Sequence, residues 1–225
     1  MINILTKQSK KGNSATFSTE KAGFGTSNTA ISAHGASDQN SLSIHYSNRF
    51  GEGFRDHNRF NAESWLSTFN RNISNSLSVT LIGRSHKHNY QLPGPLALDS
   101  IKNGTVSRAE SDPDRRMSGD NDDDSLAIIG RWDNAKSLAL SITTHYRERQ
   151  NHFWADILPN NRDRANLLSK GVETVAHWRI DNDRLILSVG SQYAEDTYSR
   201  TNGGLSVENR KPVSYTHLRA HETAM

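Results

Sequence analysis

The sequence predicts an all-β chain: part of an antiparallel transmembrane β-barrel. Three observations predict it. Apolar and polar residues alternate with period two in segments of about ten residues. The connections between those segments are alternately short and long. Aromatic residues gather at the segment ends.

The segments follow in order. In Ser41–Phe50 the residues Leu42, Ile44 and Tyr46 take one side, and Ser43, His45 and Ser47 the other. Such alternation gives a strand one apolar and one polar face. Ser76–Arg84 repeats it with Leu77, Val79 and Leu81, and Ser125–Trp132 with Leu126, Ile128 and Trp132. Ser137–Arg147 sets Leu138, Leu140, Ile142 and Tyr146 against Ser141, Thr143 and His145. Gly171–Asp181 carries Val172, Thr174, Ala176, Trp178 and Ile180 on one side, and Arg184–Tyr193 carries Leu185, Leu187, Val189 and Tyr193. About ten residues is the length that a tilted strand needs to cross a bilayer. A helical period is not sustained anywhere, so almost no helix is expected. The faces predict Leu42, Leu138 and Val172 outward, and Ser43, Thr143 and His177 inward.

The short connections Ser37–Asn40, Ile73–Ser76, Asp133–Lys136 and Asp181–Asp183 are rich in Asn, Asp and Ser, residues that suit tight turns. The long ones are Gly51–Arg59, His86–Asp124, Gln150–Leu167 and the stretch after Ala194. Tight periplasmic turns opposite large extracellular loops are what an outer-membrane barrel shows. Trp132 and Trp178 stand beside short turns, and Tyr46, Tyr146 and Tyr193 lie toward the long-loop ends, as two interfacial girdles require.

Composition narrows the function. The chain has 225 residues, of which 33% are hydrophobic, and its mean hydropathy is −0.75, so a soluble β-rich binding module is one alternative. The net charge of +3 and the lack of any Lys/Arg block give no argument for nucleic acid as a partner. There is no cysteine, which excludes disulfides, Cys-ligated zinc and a thiol nucleophile.

Ile2-Asn3-Ile4-Leu5-Thr6-Lys7 resembles the end of the plug domain in TonB-dependent outer-membrane receptors. Ala22-Gly23-Phe24-Gly25-Thr26 is similar to that family's turn between the first two barrel strands. Phe50–His57 resembles the segment that opens its next extracellular loop, and Gln91–Leu96 a Leu-Pro-Gly segment of siderophore-receptor-like members. The resemblance implies a partial, unclosed barrel of about nine strands out of 22. It implies that residues 1–11 end the plug and that residues 12–212 are the N-terminal part of the barrel. An open sheet in lipid has two bare edges, so the chain is expected to be a fragment of a longer product. Val213–Thr223 resembles the translation of a transposase-end sequencing adaptor, which makes residues 213–225 a non-native tail. The tail is expected to make no consistent strand pairing with the body.

By the same resemblance the parent is a transporter of the Gram-negative outer membrane and not an enzyme. Its ligand is a ferric siderophore or a similarly large, scarce molecule. Its partners are the TonB complex, reached through an N-terminal region absent from this sequence, and outer-membrane lipid and lipopolysaccharide. No cofactor is implied. The alternative is a small passive barrel, a pore or structural protein.

Residue chemistry singles out the loop expected at His86–Asp124. Tyr90, Arg115 and Arg116 are the candidate ligand contacts, mixing an aromatic ring with cations. Asp120, Asp122 and Asp124 are weak calcium candidates, because the order of acidic residues and glycine in a calcium-binding loop is missing. The ten histidines lack metal-binding spacing, and His45, His145 and His177 fall on polar faces, as lumen-lining residues would. No G-x-S-x-G marks a nucleophile, and no catalytic residue is assigned.

Overall fold

The computed structural model describes residues 12–158, 162–180, 185–202 and 205–222. The plug-like Ile2–Lys7 lies outside them, as do Thr223–Met225. The described residues form one ten-stranded sheet in the order β1 to β10, each strand antiparallel to the one before it in sequence. The strands are β1 Gly12–Ala22, β2 Thr26–Ala36, β3 Asn40–Gly51, β4 Phe60–Asn72, β5 Leu77–Leu92, β6 Met117–Asp133, β7 Leu138–Ala155, β8 Asp163–Ile180, β9 Leu185–Asn202 and β10 Leu205–Glu222. β1 and β10 are the two ends of the sheet, which is not closed. The only helix among the described residues is the single turn α1, Leu98–Lys102, inside the β5–β6 loop.

The register fixes the faces. Directly opposed residues share a face. Leu42 faces Phe69, Phe69 faces Leu81, Leu81 faces Ile128, Ile128 faces Thr144, Thr144 faces Val172, and Val172 faces Tyr193. Leu138 shares this outward face through its partner Trp178. Ser43, Thr143 and His177 fall on the other face, as the alternation requires. Among the described residues no hydrophobic side chain is buried, and the outward Leu42, Phe69, Leu81, Leu126, Ile142 and Tyr193 are all exposed. A water-soluble sandwich buries its apolar face against a second layer. This sheet has no second layer, so the band suits lipid. Tyr46 and Trp65 meet on it with ring centroids 4.4 Å apart, toward the long-loop edge.

The inward face is hydrated chemistry. Hydroxyl–imidazole pairs bridge neighbouring strands: Ser32 with His45 at 2.7 Å, Ser43 with His34 at 2.9 Å, Ser64 with His86 at 2.7 Å and Ser188 with His177 at 2.7 Å. Near the short-turn edge Arg179 donates to Asp133 at 3.0 Å.

The structure changes the expected strand and loop lengths. The strands are longer than ten residues: β5 to β9 have 16 to 18. The outward face turns polar at Glu63, Asp124 and Glu148, yet the backbone ladder continues beyond the apolar band. The long loops shrink accordingly. His86–Asp124 becomes a connection between Leu92 and Met117, Gln150–Leu167 one between Ala155 and Asp163, and β9 runs on from Ala194 to Asn202.

The strand count and the tail also differ. Val213–Glu222 pairs with Ala194–Leu185 in unbroken register, as part of a tenth strand that begins at Leu205. The backbone explains this. A bare strand edge offers a row of N–H and C=O groups to any extended segment, whatever its side chains.

Candidate functional site

The long connections cluster at one edge of the sheet. The first is a tight turn. Phe24 and Gly25 both have positive φ, 56° and 65°, and Thr26 N–H donates to Gly23 O at 3.2 Å. Two successive positive values are the backbone of a type I′ hairpin, which matches the strand twist. The Phe24 carbonyl then accepts from Glu52 and Gly53, and its ring meets Phe54 edge-on at 5.4 Å. The β1–β2 turn is thereby fastened to the β3–β4 loop.

That loop is fastened onward. Arg55 donates to Gly94 O at 2.7 Å and to Glu110 O at 2.9 Å, and Asp56 N–H donates to Ala109 O at 2.7 Å. His57 Nε2 lies 2.6 Å from Asp156 Oδ2 and 3.1 Å from Met117 O. Ser118, 8% exposed, donates to Asp156 Oδ1 at 2.8 Å and lies 3.3 Å from the same His57 Nε2. Ser, His and Asp thus meet, but not as a hydrolase needs them. A catalytic imidazole takes the carboxylate on one nitrogen and the hydroxyl on the other. Here one nitrogen faces both, and the carboxylate already holds the hydroxyl. The cluster is a latch joining the β3–β4 and β7–β8 loops to the start of β6.

Below the latch, on the inward face, rows run straight across the strands. Arg84, Ser125 and Arg147 form one row, and His86, Asp123 and Arg149 the next. Arg147 donates to both Asp123 oxygens, Nε at 2.8 Å, and this bond holds the carboxyl below its ordinary range against the opposing effect of burial. Asp123 is 7% exposed and lies above the apolar band. Arg84 and Arg149 act on it only through space, and neither makes a hydrogen bond or ion pair among the described residues. His88 stacks toward Tyr90 with centroids 5.2 Å apart, and burial, then His86, lowers its pKa.

Tyr90 stands on this same face, with its ring over Gly119 of the neighbouring strand. Arg115 is exposed, 3.7 Å from Asp112. Arg116 is half-buried, and its Nε has no partner among the described residues. The ladder opposes Tyr90 to Gly119, so Arg116 lies three positions beyond it along the chain: the three candidates share one edge of the sheet but not one cluster. The acidic run is not in a loop. It lies in β6, where Asp120, Asp122 and Asp124 point outward and Asp123 points inward. Asp120 meets His152 at 2.8 Å, Asp122 faces Lys87, and Asp124 faces Glu148. Alternate residues on a strand lie about 7 Å apart, so these carboxylates do not converge. Among the described residues no three such groups are placed to hold a metal. Nothing in the sequence marks His57, Ser118 and Asp156 as partners, because they stand far apart along the chain and only the sheet brings them together.

Comparison with solved structures settles the architecture. The siderophore receptor PiuA from Acinetobacter baumannii superposes on 95% of this chain with a TM-score of 0.70 at 11% identity. BauA, the ferric preacinetobactin receptor from the same organism, matches 93% with a TM-score of 0.67 at 9% identity. The chain has the fold of a segment of these proteins' barrels. The segment spans 38% of PiuA and 40% of BauA. The RagAB peptide importer shares it over 86% of this chain, with a TM-score of 0.56 at 15% identity, so the barrel segment does not fix the ligand class. No protein-family model and no curated protein matches the sequence.

Proposed function

We propose that this barrel segment belongs to a TonB-dependent receptor of the Gram-negative outer membrane that imports a ferric siderophore or a similarly large, scarce ligand. One observation supports the reading: an outward apolar band with no buried core behind it among the described residues, on a fold shared with receptor barrels. Residues 1–11 are then the end of the plug, residues 12–212 the first part of the barrel wall, and residues 213–225 an adaptor-derived tail. The outer membrane lacks a nucleotide supply, so releasing ligand from a plugged barrel needs work delivered by TonB. The inward Arg84 and Arg149, Tyr90, and the loop residues Arg115 and Arg116 are the candidate ligand contacts.

The experiment is uptake of radiolabelled ferric siderophore by cells carrying the full-length receptor, with and without TonB. Uptake should vanish without TonB. Uptake at a normal rate there refutes the transporter and favours a passive pore. For the tail, resequencing the source DNA without transposase adaptors should change the sequence after Pro212, and recovering Val213–Thr223 again refutes the adaptor origin.

A further inference from the structure

A hollow of about 280 Å3 opens near the loop edge of the sheet, lined by Arg59, Asn61, Asn89, Gln91, Ser118 and Trp154, with Phe60, Tyr90 and Gly119 of the inward-facing row between them. The register gathers the first six in two rows of like parity. Asn61 faces Asn89 in one, and Gln91 faces Ser118, which faces Trp154, in the other. Gln91 N–H donates to Arg59 O at 2.9 Å and closes the second row. Each of these strand residues has the parity of Trp65, Leu81, Leu126 and Tyr146 on its own strand. Most of the lining therefore belongs to the outer side of the barrel wall. Of the candidate ligand contacts described above, Tyr90 alone borders the hollow.

Its exposed lining is mainly apolar, and its polar groups are planar amides, Asn61, Asn89 and Gln91, each with donors and an acceptor side by side; the Asn61 oxygen also accepts from Asn48 Nδ2 at 3.2 Å. Vicinal sugar hydroxyls also donate and accept, so amides match them where carboxylates or ammonium groups match only half. The indole of Trp154 supplies a flat apolar wall, suited to the C–H face of a pyranose ring, and Arg162 backs it with its guanidinium 4.6 Å from the ring centroid. Arg59, stacked 5.9 Å from Phe50, adds one positive charge at the rim. The volume equals that of about nine waters at ~30 Å3 each, room for one sugar ring.

Height selects the source. Asn61 lies four residues beyond the girdle residue Trp65, and Ser118 eight beyond Leu126. At about 3.3 Å per residue and a strand tilt of about 40°, the hollow stands roughly 10–20 Å above the apolar band. Ordinary headgroups add only about 5–8 Å on each side of the hydrocarbon. A phospholipid headgroup does not reach the hollow, whereas a sugar chain on an outer-leaflet glycolipid does. We infer that this outward hollow binds a saccharide, through the amides of Asn61, Asn89 and Gln91 and the indole of Trp154. The inference rests on the outer-membrane placement, and not on import or on TonB.

The test uses the full-length receptor in detergent, with Asn61→Ala/Asn89→Ala and Gln91→Ala variants. The probes are rough lipopolysaccharide, the oligosaccharide released from it by mild acid, and phosphatidylethanolamine. Native mass spectrometry reads the lipids and calorimetry the free sugar. Lipopolysaccharide should bind, the released oligosaccharide should compete, and the double variant should weaken both at least tenfold while heat-modifiable migration stays normal. Binding of the free sugar alone, lost in the variant, supports the pocket with a soluble source. Equal binding by wild type and variants, or by phosphatidylethanolamine, or no saccharide binding at all, overturns it. Siderophore uptake by the variant should stay normal, so failure of this site and failure of the import reading are told apart.

Discussion

Gly119 owes its identity to a ring on the neighbouring strand. A Cβ there would lie 2.5 Å from the Tyr90 hydroxyl and 2.9 Å from the His152 carbonyl, and the second is backbone that cannot swing away. Gly119→Ala should therefore cost about 1–3 kcal/mol, the usual range for overpacking. Urea unfolding in micelles measures it, and an unchanged midpoint would mean that the ladder relaxes at no cost. Asp123 makes a second residue-scale prediction, from the sign of its shift. Arg147 depresses its carboxyl below the ordinary value of 3.8. A depressed carboxylate contributes stability that is complete above the unfolded value and is lost as pH falls through the lowered folded value. Arg147→Gln should remove that contribution at neutral pH and make the upper part of the sheet open at higher pH on acid titration, followed by tryptophan fluorescence. Coincident acid transitions in the two proteins would show that the pair contributes nothing. Arg147 is itself 41% exposed, so solvent screens the pair and the shift should be small.

At the scale of the strand, legibility followed the solvent contrast between the two faces. β3 and β7 are readable because Leu, Ile and aromatic residues on one face stand against Ser, Thr and His on the other, and β6 and β8 because their outward face alone is strongly apolar. β4 is not readable that way. Its outward residues include Asn61, Glu63 and Ser67 beside Trp65 and Phe69, and its inward ones include Phe60 and Leu66, so neither face is clean. It could be placed only from the connections on either side of it. The strand ends were illegible for a related reason: alternation reports the lipid boundary, but hydrogen bonding between strands does not stop there. The latch of His57, Ser118 and Asp156 was illegible because it joins residues that only the completed sheet brings together. This segment contains no cysteine, so labels placed in it, with any cysteine elsewhere replaced, measure the faces directly. A spin label at Ile142→Cys should be accessible to oxygen dissolved in lipid, and one at Thr143→Cys to a water-soluble nickel chelate, within the full-length receptor. Reversed accessibilities would end the barrel reading, because a register slip of one residue exchanges the faces of the whole strand.

For the whole molecule, the loops divide into parts that hold the edge of the sheet together and parts that only project from it. The base of the β5–β6 loop is structural: Arg55 and Asp56 bind at Pro93, Gly94, Ala109 and Glu110, and Asp112 N–H donates to Pro93 O at 2.9 Å. Removing Asn103–Met117 would take out the anchors at Ala109, Glu110 and Asp112 together with the first residue of β6, so its effect on assembly and on ligand would be entangled. The tip is different. The backbone bonds of α1 and its end, Ile101 to Ala97, Asn103 to Asp99 and Val106 to Ser100, all close within the tip itself. Replacing Leu98–Val106 by a short Gly-Ser link should therefore leave barrel assembly and heat-modifiable migration unchanged, since exposed loop tips carry little of a fold's stability. If the tip closes over bound ligand, the same replacement should weaken siderophore affinity by about tenfold or more, measured by binding to the purified receptor. Arg55→Ala should do likewise by freeing the base of the loop, with little change in assembly because the His57–Asp156 contact at 2.6 Å remains. Full affinity in both variants would remove this loop from the ligand site and leave the inward Arg84 and Arg149 as the contacts to test next.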